Sequence, residues 1–208
     1  MLVILAVTLS RLIPDDPEFT RKIVHIGSGN VIVLAWWLDI SAEVIVSAAI
    51  IAAVIALTSY IIPILPSIES VGRKSLGTLF YAISIGILTA YFWQDSPQYT
   101  TIGILTMAWG DGMAAIIGQR FGKHTYQVGQ ITKSWEGSLA MAIASFLVTG
   151  LILWLVEGNS WGIWSISLVV ALVATLLEAF SKLGIDNLTV PLGSAILCFF
   201  SVKALLFS

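Results

Sequence analysis

Charged residues are scarce in this sequence. Asp, Glu, Lys and Arg make up 11% of it, against about 25% in soluble domains, while 58% of the residues are hydrophobic. A water-soluble core could not absorb this much apolar surface, because a domain of this size leaves much of its chain exposed. The formal net charge of −2 also gives no reason to expect nucleic-acid binding. The composition therefore indicates a membrane protein.

Cysteine and long polar stretches are also nearly missing. Cys198 is the single cysteine, so no internal disulfide can form, and its apolar neighbours predict a packing role. Residues 1–13 lack a basic start and a small-residue cleavage site, so they do not read as a cleaved signal peptide. With no polar domain or linker in view, we expect one integral membrane domain over residues 1–208.

Apolar segments recur along the chain with short polar breaks between them. They cover residues 1–13 (short for a span), 22–38, 42–62, 75–93, 99–118, 135–156, 161–180 and 188–206. A membrane helix needs roughly 20 apolar residues, and backbone groups in lipid must bond internally, so helix is the expected structure. The alternation of a membrane barrel strand is absent from these segments. The sequence predicts an all-α polytopic bundle of about 7–8 membrane segments.

The basic residues predict the orientation of this bundle. Nine of the ten lie in one set of loops, namely Arg11, Arg21, Lys22, Arg73, Lys74, Arg120, Lys123, Lys133 and Lys182. The positive-inside rule makes that side cytoplasmic. Tryptophans near the opposite ends of the segments fit an interfacial aromatic belt, and they are Trp36, Trp37, Trp93, Trp154, Trp161 and Trp164. Both signals predict a site that faces the cytoplasm.

Several polar residues lie where the membrane makes them costly. A charge inside a membrane helix costs roughly 2.5–3.5 kcal/mol on insertion scales. Asp111, Glu136 and Glu178 lie in or at the ends of apolar segments, and Lys133 and Asp186 lie toward the same predicted cytoplasmic side. Acids and bases that converge at one membrane depth predict a functional site.

The segment 109–138 combines Asp111 with glycines, a predicted polar loop at 119–134 that holds basic residues, and the start of the next helix. Carboxylates hold Mg²⁺, and the N–H groups of a helix start attract phosphate oxygens, so the segment fits a metal-bound polyphosphate. The candidate phosphate-binding residues are Gly118, Arg120, Gly122, Lys123, Lys133, Ser134 and Gly137. The glycines also fit a helix-packing pattern, and Ser134 fits a helix N-cap, so both interpretations stay open.

Two flanking clusters complete the candidate site. Arg21, Lys22 and His25 are close on one helix, and a positive-inside anchor explains the two basic residues but not the histidine. Glu178 and Lys182 have the spacing of a local ion pair. Glu178 remains costly under that interpretation, which favours a metal or partner role.

Together these stretches resemble the polyprenol kinase family, which includes phytol kinase, dolichol kinase and the CTP-dependent diacylglycerol kinases. The family pattern E-x-x-R-K-x-x-H matches Glu18, Arg21, Lys22 and His25. The nucleotide motif, an Asp with spaced glycines and then K-[ST]-x-E-G, matches Asp111, Gly118, Gly122, Lys133, Ser134, Glu136 and Gly137. A late D-N-x-x-x-P stretch matches Asp186, Asn187 and Pro191, although Ile185 stands where many members have a second acid.

The resemblance implies transfer of a phosphoryl group from CTP, or UTP, to the hydroxyl of a lipid alcohol, with Mg²⁺ required. The short chain is more similar to phytol and farnesol kinases than to the longer dolichol kinases. The implied catalytic residues are Arg21, Lys22, His25, Asp111, Lys133 and Glu136, and the implied metal ligands are Asp111, Glu178 and Asp186. A carboxylate or His25 would take the hydroxyl proton. The lipid alcohol would arrive from the surrounding membrane lipids, and the nucleoside triphosphate from the cytoplasm.

Two alternatives from other classes are kept. Membrane cytidylyltransferases share a similar D…G…G…K-[ST] stretch, but this chain lacks their basic C-terminal signature. An ion-coupled transporter would also have intramembrane acids and glycine-broken helices, but it would place them near the bilayer midplane. The crowding of polar residues toward one side favours an interfacial enzyme.

Overall fold

The fold was obtained as a computed structural model, which describes residues 17–61, 76–129 and 131–206. Its helices are α1 (Pro17–Gly29), α2 (Val31–Trp37), α3 (Ala42–Ile61), α4 (Gly77–Phe92), α5 (Pro97–Phe121), α6 (Trp135–Glu157), α7 (Trp161–Ala179) and α8 (Asp186–Leu206). Two strands, β1 (Thr125–Val128) and β2 (Ile131–Ser134), lie between α5 and α6. The predicted short span 1–13 lies outside the described residues, as do Arg11, Arg73 and Lys74.

Helix α5 is the centre of the bundle. It packs against α1, α4, α6 and α8, and its apolar window is the most buried among the long helices of the described residues. Its small residues allow close approach: a Cβ on Gly103 would lie 2.5 Å from the backbone oxygen of Pro191 in α8. A Cβ on Gly112 would lie 2.6 Å from the side chain of Ile26 in α1. These contacts place one half of α5 beside the polar residues of α1.

The outer surface of the bundle is apolar. Within the described residues, five helices are long and apolar enough to cross a membrane: α3, α5, α6, α7 and α8. Helix α4 is apolar but shorter. On α3 the side chains of Ile50, Ile51 and Val54 are each more than half exposed, which lipid but not water would tolerate. The structure confirms an all-α membrane protein, while the count of 7–8 segments stays a prediction.

Most predicted helix bounds agree with the structure to within three residues. The exception is the segment 22–38, which forms two helices: α1 begins earlier, at Pro17, and the helix is interrupted at Asn30. The Asn30 amide side chain donates to the carbonyl of Ile26 at 2.8 Å, so it competes for a helical acceptor. Gly29 precedes it, and a Cβ there would overlap the Cβ of Ala108 on α5.

The break at 119–134 folds as an antiparallel hairpin, which the sequence interpretation left as a loop. Thr125 pairs with Ser134 and Val128 with Ile131, and Gly129 adopts a positive φ of 63° in the turn. A glycine between two short runs with β-branched residues is a hairpin signal that the sequence contained. The hairpin lies at the same end of the bundle as the polar half of α5.

Candidate active site

The polar residues converge at one end of the bundle. Five elements meet there: α1, the second half of α5, the hairpin with the first turn of α6, the last turn of α7 and the start of α8. The predicted tryptophan belt lies at the other end, where Trp36 and Trp93 line one cavity and Trp161 and Trp164 line another. The separation of polar and aromatic ends agrees with the pattern read from the sequence.

The first ion pair joins α1 to α5. The Lys22 ammonium donates to Asp111 Oδ2 at 2.5 Å, and both side chains are nearly buried, at 10% and 13% exposed. His25 lies one turn further along α1, with Nε2 3.9 Å from the same carboxylate oxygen. A buried carboxylate needs a compensating charge, and Lys22 supplies it here. The structure thus brings together three of the predicted site residues.

The second ion pair joins the hairpin to α7. The Lys133 ammonium contacts the Glu178 carboxylate and also donates to the Glu178 backbone oxygen at 2.5 Å. These side chains are 16% and 10% exposed. The partner of Glu178 is therefore Lys133 on β2 rather than Lys182, which the i,i+4 spacing offered but which lies beyond the end of α7. Lys182 instead lies near the hairpin turn, where its Nζ would be 2.9 Å from a Cβ on Gly129.

Asp186 begins α8 between these two pairs. Its carboxylate interacts electrostatically with Asp111, Lys22 and Lys133, and Glu178 interacts with Asp111 and Asp186. The three carboxylates therefore lie close enough to influence one another electrostatically. Their oxygens are hard donors of the kind that bind Mg²⁺. Among the described residues, no three metal-ligating side chains are yet close enough to form a ready metal centre. Two of the three carboxylates are bound to lysines instead.

The predicted phosphate-binding glycines lie where α5 crosses the start of α6. A Cβ on Gly137 would lie 2.8 Å from the Ala114 backbone oxygen, and one on Gly118 would lie 3.1 Å from Ser134 Oγ. A Cβ on Gly122 would overlap the Gly118 backbone oxygen. Ser134 is the N-cap of α6, since its hydroxyl accepts the Gly137 N–H at 3.1 Å. These contacts give each glycine a packing role, and a nucleotide role for them stays a prediction.

Glu136 has a structural partner. Its carboxylate contacts His124 Nδ1 at 2.7 Å and accepts the His124 backbone N–H at 3.2 Å. The Trp135 backbone N–H donates to the His124 carbonyl at 2.9 Å. These bonds fasten the entrance of the hairpin to the first turn of α6, a role that the sequence interpretation did not assign to His124. A catalytic role for Glu136 stays a prediction.

The remaining predicted basic residues lie at the rim. Arg21 and Lys123 are exposed. Arg120, at the end of α5, places its guanidinium 4.3 Å from the ring centroid of Phe19 on α1. The side chain of Glu18, which belongs to the first matched pattern, lies outside the described residues. The structure therefore places the three basic groups around the ion pairs, where an anion could meet them.

Tyr81 of α4 is a neighbour of the site that sequence reasoning missed. Its ring contacts the His25 ring, with centroids 4.9 Å apart and planes 52° apart. A tyrosine in an apolar span resembles any interfacial aromatic residue, so the sequence offered only the weak signal of a phenol within the segment 75–93.

Comparisons with known proteins agree with the resemblance. The chain is 54% identical over 196 residues to a phytol kinase of Synechocystis sp., covering 94% of this chain and 84% of that protein. It is 32% identical to phytol kinase 1 of Arabidopsis thaliana, over 88% of this chain and 66% of that protein. It is 30% identical to a farnesol kinase of Arabidopsis thaliana, over 87% and 64%. No family model matches the chain, and no solved structure was found to match it.

These findings define an integral membrane kinase that acts on an alcohol. The kinase activity implies a nucleotide as phosphoryl donor. The chain belongs to the polyprenol kinase family, among relatives that include phytol and farnesol kinases. Five residues of this kinase converge at its buried polar end, namely Lys22, His25, Asp111, Lys133 and Glu178.

Proposed function

We propose that this protein transfers the γ-phosphoryl group of CTP to the hydroxyl of an isoprenoid alcohol such as phytol or farnesol. The observation that carries the proposal is the convergence of the two lysine–carboxylate pairs and Asp186 at one end of an apolar bundle. Membership of the family supports the kinase activity, the names of the relatives support an isoprenoid acceptor, and the family resemblance supports CTP.

The two ion pairs suit a bound metal–triphosphate. Asp111, with Glu178 or Asp186, would hold Mg²⁺, which supplies neutralising charge for the phosphates when bound. Lys22 and Lys133 would then leave their carboxylates and bind phosphate oxygens. In the complex, each carboxylate would face the metal ion and each lysine would face phosphate oxygens. Every charge of the two ion pairs would therefore keep an opposite charge beside it. Arg120 and Lys123 at the rim would neutralise the rest of the triphosphate.

Phosphoryl transfer depends chiefly on positioning and charge neutralisation. The alcohol oxygen forms a bond to the γ-phosphorus, and the bond from that phosphorus to the β–γ bridging oxygen breaks. The hydroxyl proton passes to His25 or to a carboxylate of the site. The products are an isoprenyl monophosphate and CDP, so atoms and charges balance.

The site would face the cytoplasm, where nucleotides are available. The basic residues Lys22, Arg120, Lys123, Lys133 and Lys182 belong to this end, which supports that orientation by the positive-inside rule. The acceptor would enter laterally, its carbon chain remaining among apolar helices while its hydroxyl meets the site.

The proposal is tested by a panel of donors and acceptors. Purified protein with Mg²⁺ receives CTP, UTP, ATP or GTP, and phytol, farnesol, dolichol or diacylglycerol. We expect phosphorylated phytol or farnesol with CTP, and a UTP product would correct only the donor. The absence of any phosphorylated lipid would refute the kinase proposal. With CTP labelled at the α-phosphorus, label in the lipid product would identify a CDP-lipid and therefore a cytidylyltransferase. Movement of a substrate across the membrane without chemical change would indicate a transporter.

A further inference from the structure

Tyr81 lies between the first ion pair and the apolar interior. It belongs to the first half of α4, its ring contacts His25 on α1, and its hydroxyl would be 3.2 Å from a Cβ on Gly29. It also packs against a buried apolar cluster that contains Met107 and Met141. Tyr81 is therefore at a boundary between charged and apolar surroundings.

Two buried polar atoms meet at this boundary without a protein partner. Tyr81 Oη and His25 Nε2 are both inaccessible to solvent, and neither makes a hydrogen bond within the described part of the chain. The 3.9 Å from His25 Nε2 to Asp111 Oδ2 is too long for a hydrogen bond. Buried donors and acceptors are nearly always satisfied, because a lost partner costs about 1–3 kcal/mol each. A molecule that both accepts one hydrogen bond and donates another would satisfy the two atoms.

The chemistry of that partner follows from its surroundings. A triphosphate would bind beside the lysines, where charge is available to neutralise it. Around Tyr81 the described residues instead provide its own hydroxyl, one imidazole nitrogen and a buried apolar cluster. A hydroxyl group on a hydrocarbon chain matches that set, because it can accept one hydrogen bond, donate another and leave its carbon chain in apolar contact.

We propose that Tyr81 binds the hydroxyl of the lipid alcohol together with His25. The proposal rests on the proposed lipid alcohol kinase function and extends it to a residue outside the matched motifs. The Tyr81 O–H donates to the alcohol oxygen, and the alcohol O–H donates to His25 Nε2. The hydroxyl is thereby held next to Asp111 and Lys22, and His25 is placed to receive its proton on transfer.

The test compares Tyr81→Phe with Tyr91→Phe. Tyr91 is on the same helix but is 78% exposed, so it undergoes the same chemical change away from the site. Because Tyr81 Oη has no hydrogen bond to lose, Tyr81→Phe should leave the unfolding temperature in detergent unchanged or slightly raised. KM for phytol should rise about three- to tenfold, while KM for CTP stays as in the wild type. Tyr91→Phe should change none of these values.

Two results would overturn the inference. If Tyr81 Oη bonds to a structural water, Tyr81→Phe should lower the unfolding temperature and leave KM for phytol unchanged. An equal rise in KM for CTP and phytol would place Tyr81 at the nucleotide instead. Wild-type protein is assayed in parallel to separate the two proposals. If the wild type is active and Tyr81→Phe has the same kinetics, only the inference about Tyr81 is refuted. Wild type that phosphorylates no lipid alcohol removes both.

Discussion

Two buried ion pairs lie at the polar end of this protein. Lys22 neutralises Asp111 between α1 and α5, and Lys133 neutralises Glu178 between the hairpin and α7. Buried ion pairs add little net stability, because desolvation offsets their attraction, but removing one partner leaves an uncompensated charge. This arrangement fits the proposed function, in which each charged side chain exchanges its partner for an opposite charge of the bound ligand.

Lys133→Gln tests the role of the second pair. The change leaves Glu178 without its cation. The free energy of unfolding should therefore fall by at most about 3–5 kcal/mol, as for other broken buried ion pairs, and the unfolding temperature should fall with it. Loss of a charge-assisted contact to phosphate should raise KM for CTP roughly ten- to a hundredfold. Thermal unfolding in detergent and steady-state kinetics measure both.

Lys203→Gln is the matched control for this change. Lys203 is exposed near the end of α8, over the ring of Phe199, at the opposite end of the helix from Asp186. It should alter neither KM nor the unfolding temperature appreciably. A wild-type KM for CTP in Lys133→Gln would contradict a nucleotide role for Lys133, whatever its stability.

At the residue scale the sequence predicted charges better than neutral groups. Asp111 and Glu178 stood out because a charge in an apolar segment is costly without a function. Their pairing partners were not predictable, since Lys133 reaches Glu178 only through the fold of the hairpin. Tyr81 was missed because an aromatic residue in a membrane helix has many ordinary reasons to be there, and only its three-dimensional contact with His25 sets it apart.

A proline inside helix α8 leaves one carbonyl oxygen without its helical donor, and a side chain of another helix lies within hydrogen-bond distance of that oxygen. Pro191 lies inside α8 and has no N–H to donate to the carbonyl of Asn187, four residues earlier. The Ser84 hydroxyl of α4 lies 2.9 Å from that carbonyl oxygen and 2.9 Å from the carbonyl oxygen of Tyr81. One side chain therefore satisfies the acceptor that the proline leaves open and joins α4 to the start of α8, beside Asp186.

Ser84→Ala should consequently destabilise the protein. The Asn187 carbonyl would lose its donor in a buried setting, which costs about 1–3 kcal/mol, and the unfolding temperature in detergent should fall. In a Pro191→Ala background the restored backbone N–H can serve the same carbonyl, so Ser84→Ala should cost less there. Ser165→Ala is the control, since Ser165 is exposed on α7 and bonds only to its own helix. Equal losses in both backgrounds would refute the link.

At the element scale the apolar helices were predictable and their interruptions were not. Length and composition located α3 to α8 because lipid demands long apolar segments. The hairpin was read as a polar loop, since four-residue strands give too short an alternation to stand out. Next to the interruption at Asn30, Gly29 lies against Ala108 of α5, and this tertiary contact gives no signal in the sequence.

Ion pairs and exposed apolar surface occupy different parts of the molecule. The two ion pairs and the exposed Arg21, Arg120 and Lys123 lie at one end of the bundle, while exposed apolar side chains cover the helices between the ends. A nucleotide can reach the polar end from water, and an isoprenoid chain can reach it from lipid. Under the proposed function, the two substrates would therefore meet at the membrane surface rather than in its middle.

Cysteine labelling tests this orientation. Cys198 is buried, so the native chain offers little background to a membrane-impermeant maleimide. Gln127→Cys places an exposed thiol on the hairpin, and Asp95→Cys places one at the opposite end. In intact spheroplasts we expect labelling of Asp95→Cys alone, and labelling of Gln127→Cys only after permeabilisation. Labelling of Gln127→Cys from outside would reverse the proposed orientation.

The central claim is that the polar end built around Asp111 transfers a phosphoryl group to a lipid alcohol. Its most direct test measures label transferred from γ-labelled CTP to phytol by wild type, Asp111→Asn and Asp39→Asn. Asp39 lies at the other end of the bundle with a φ of 51°, which asparagine also tolerates, so it is a matched control.

Asp111→Asn should fold with a lowered unfolding temperature, because Lys22 loses its opposite charge. It should lower the transfer rate on the order of a thousandfold, because the buried carboxylate is lost where charge must be balanced. Asp39→Asn should transfer label at the wild-type rate. Near-normal transfer by a folded Asp111→Asn protein would contradict the account.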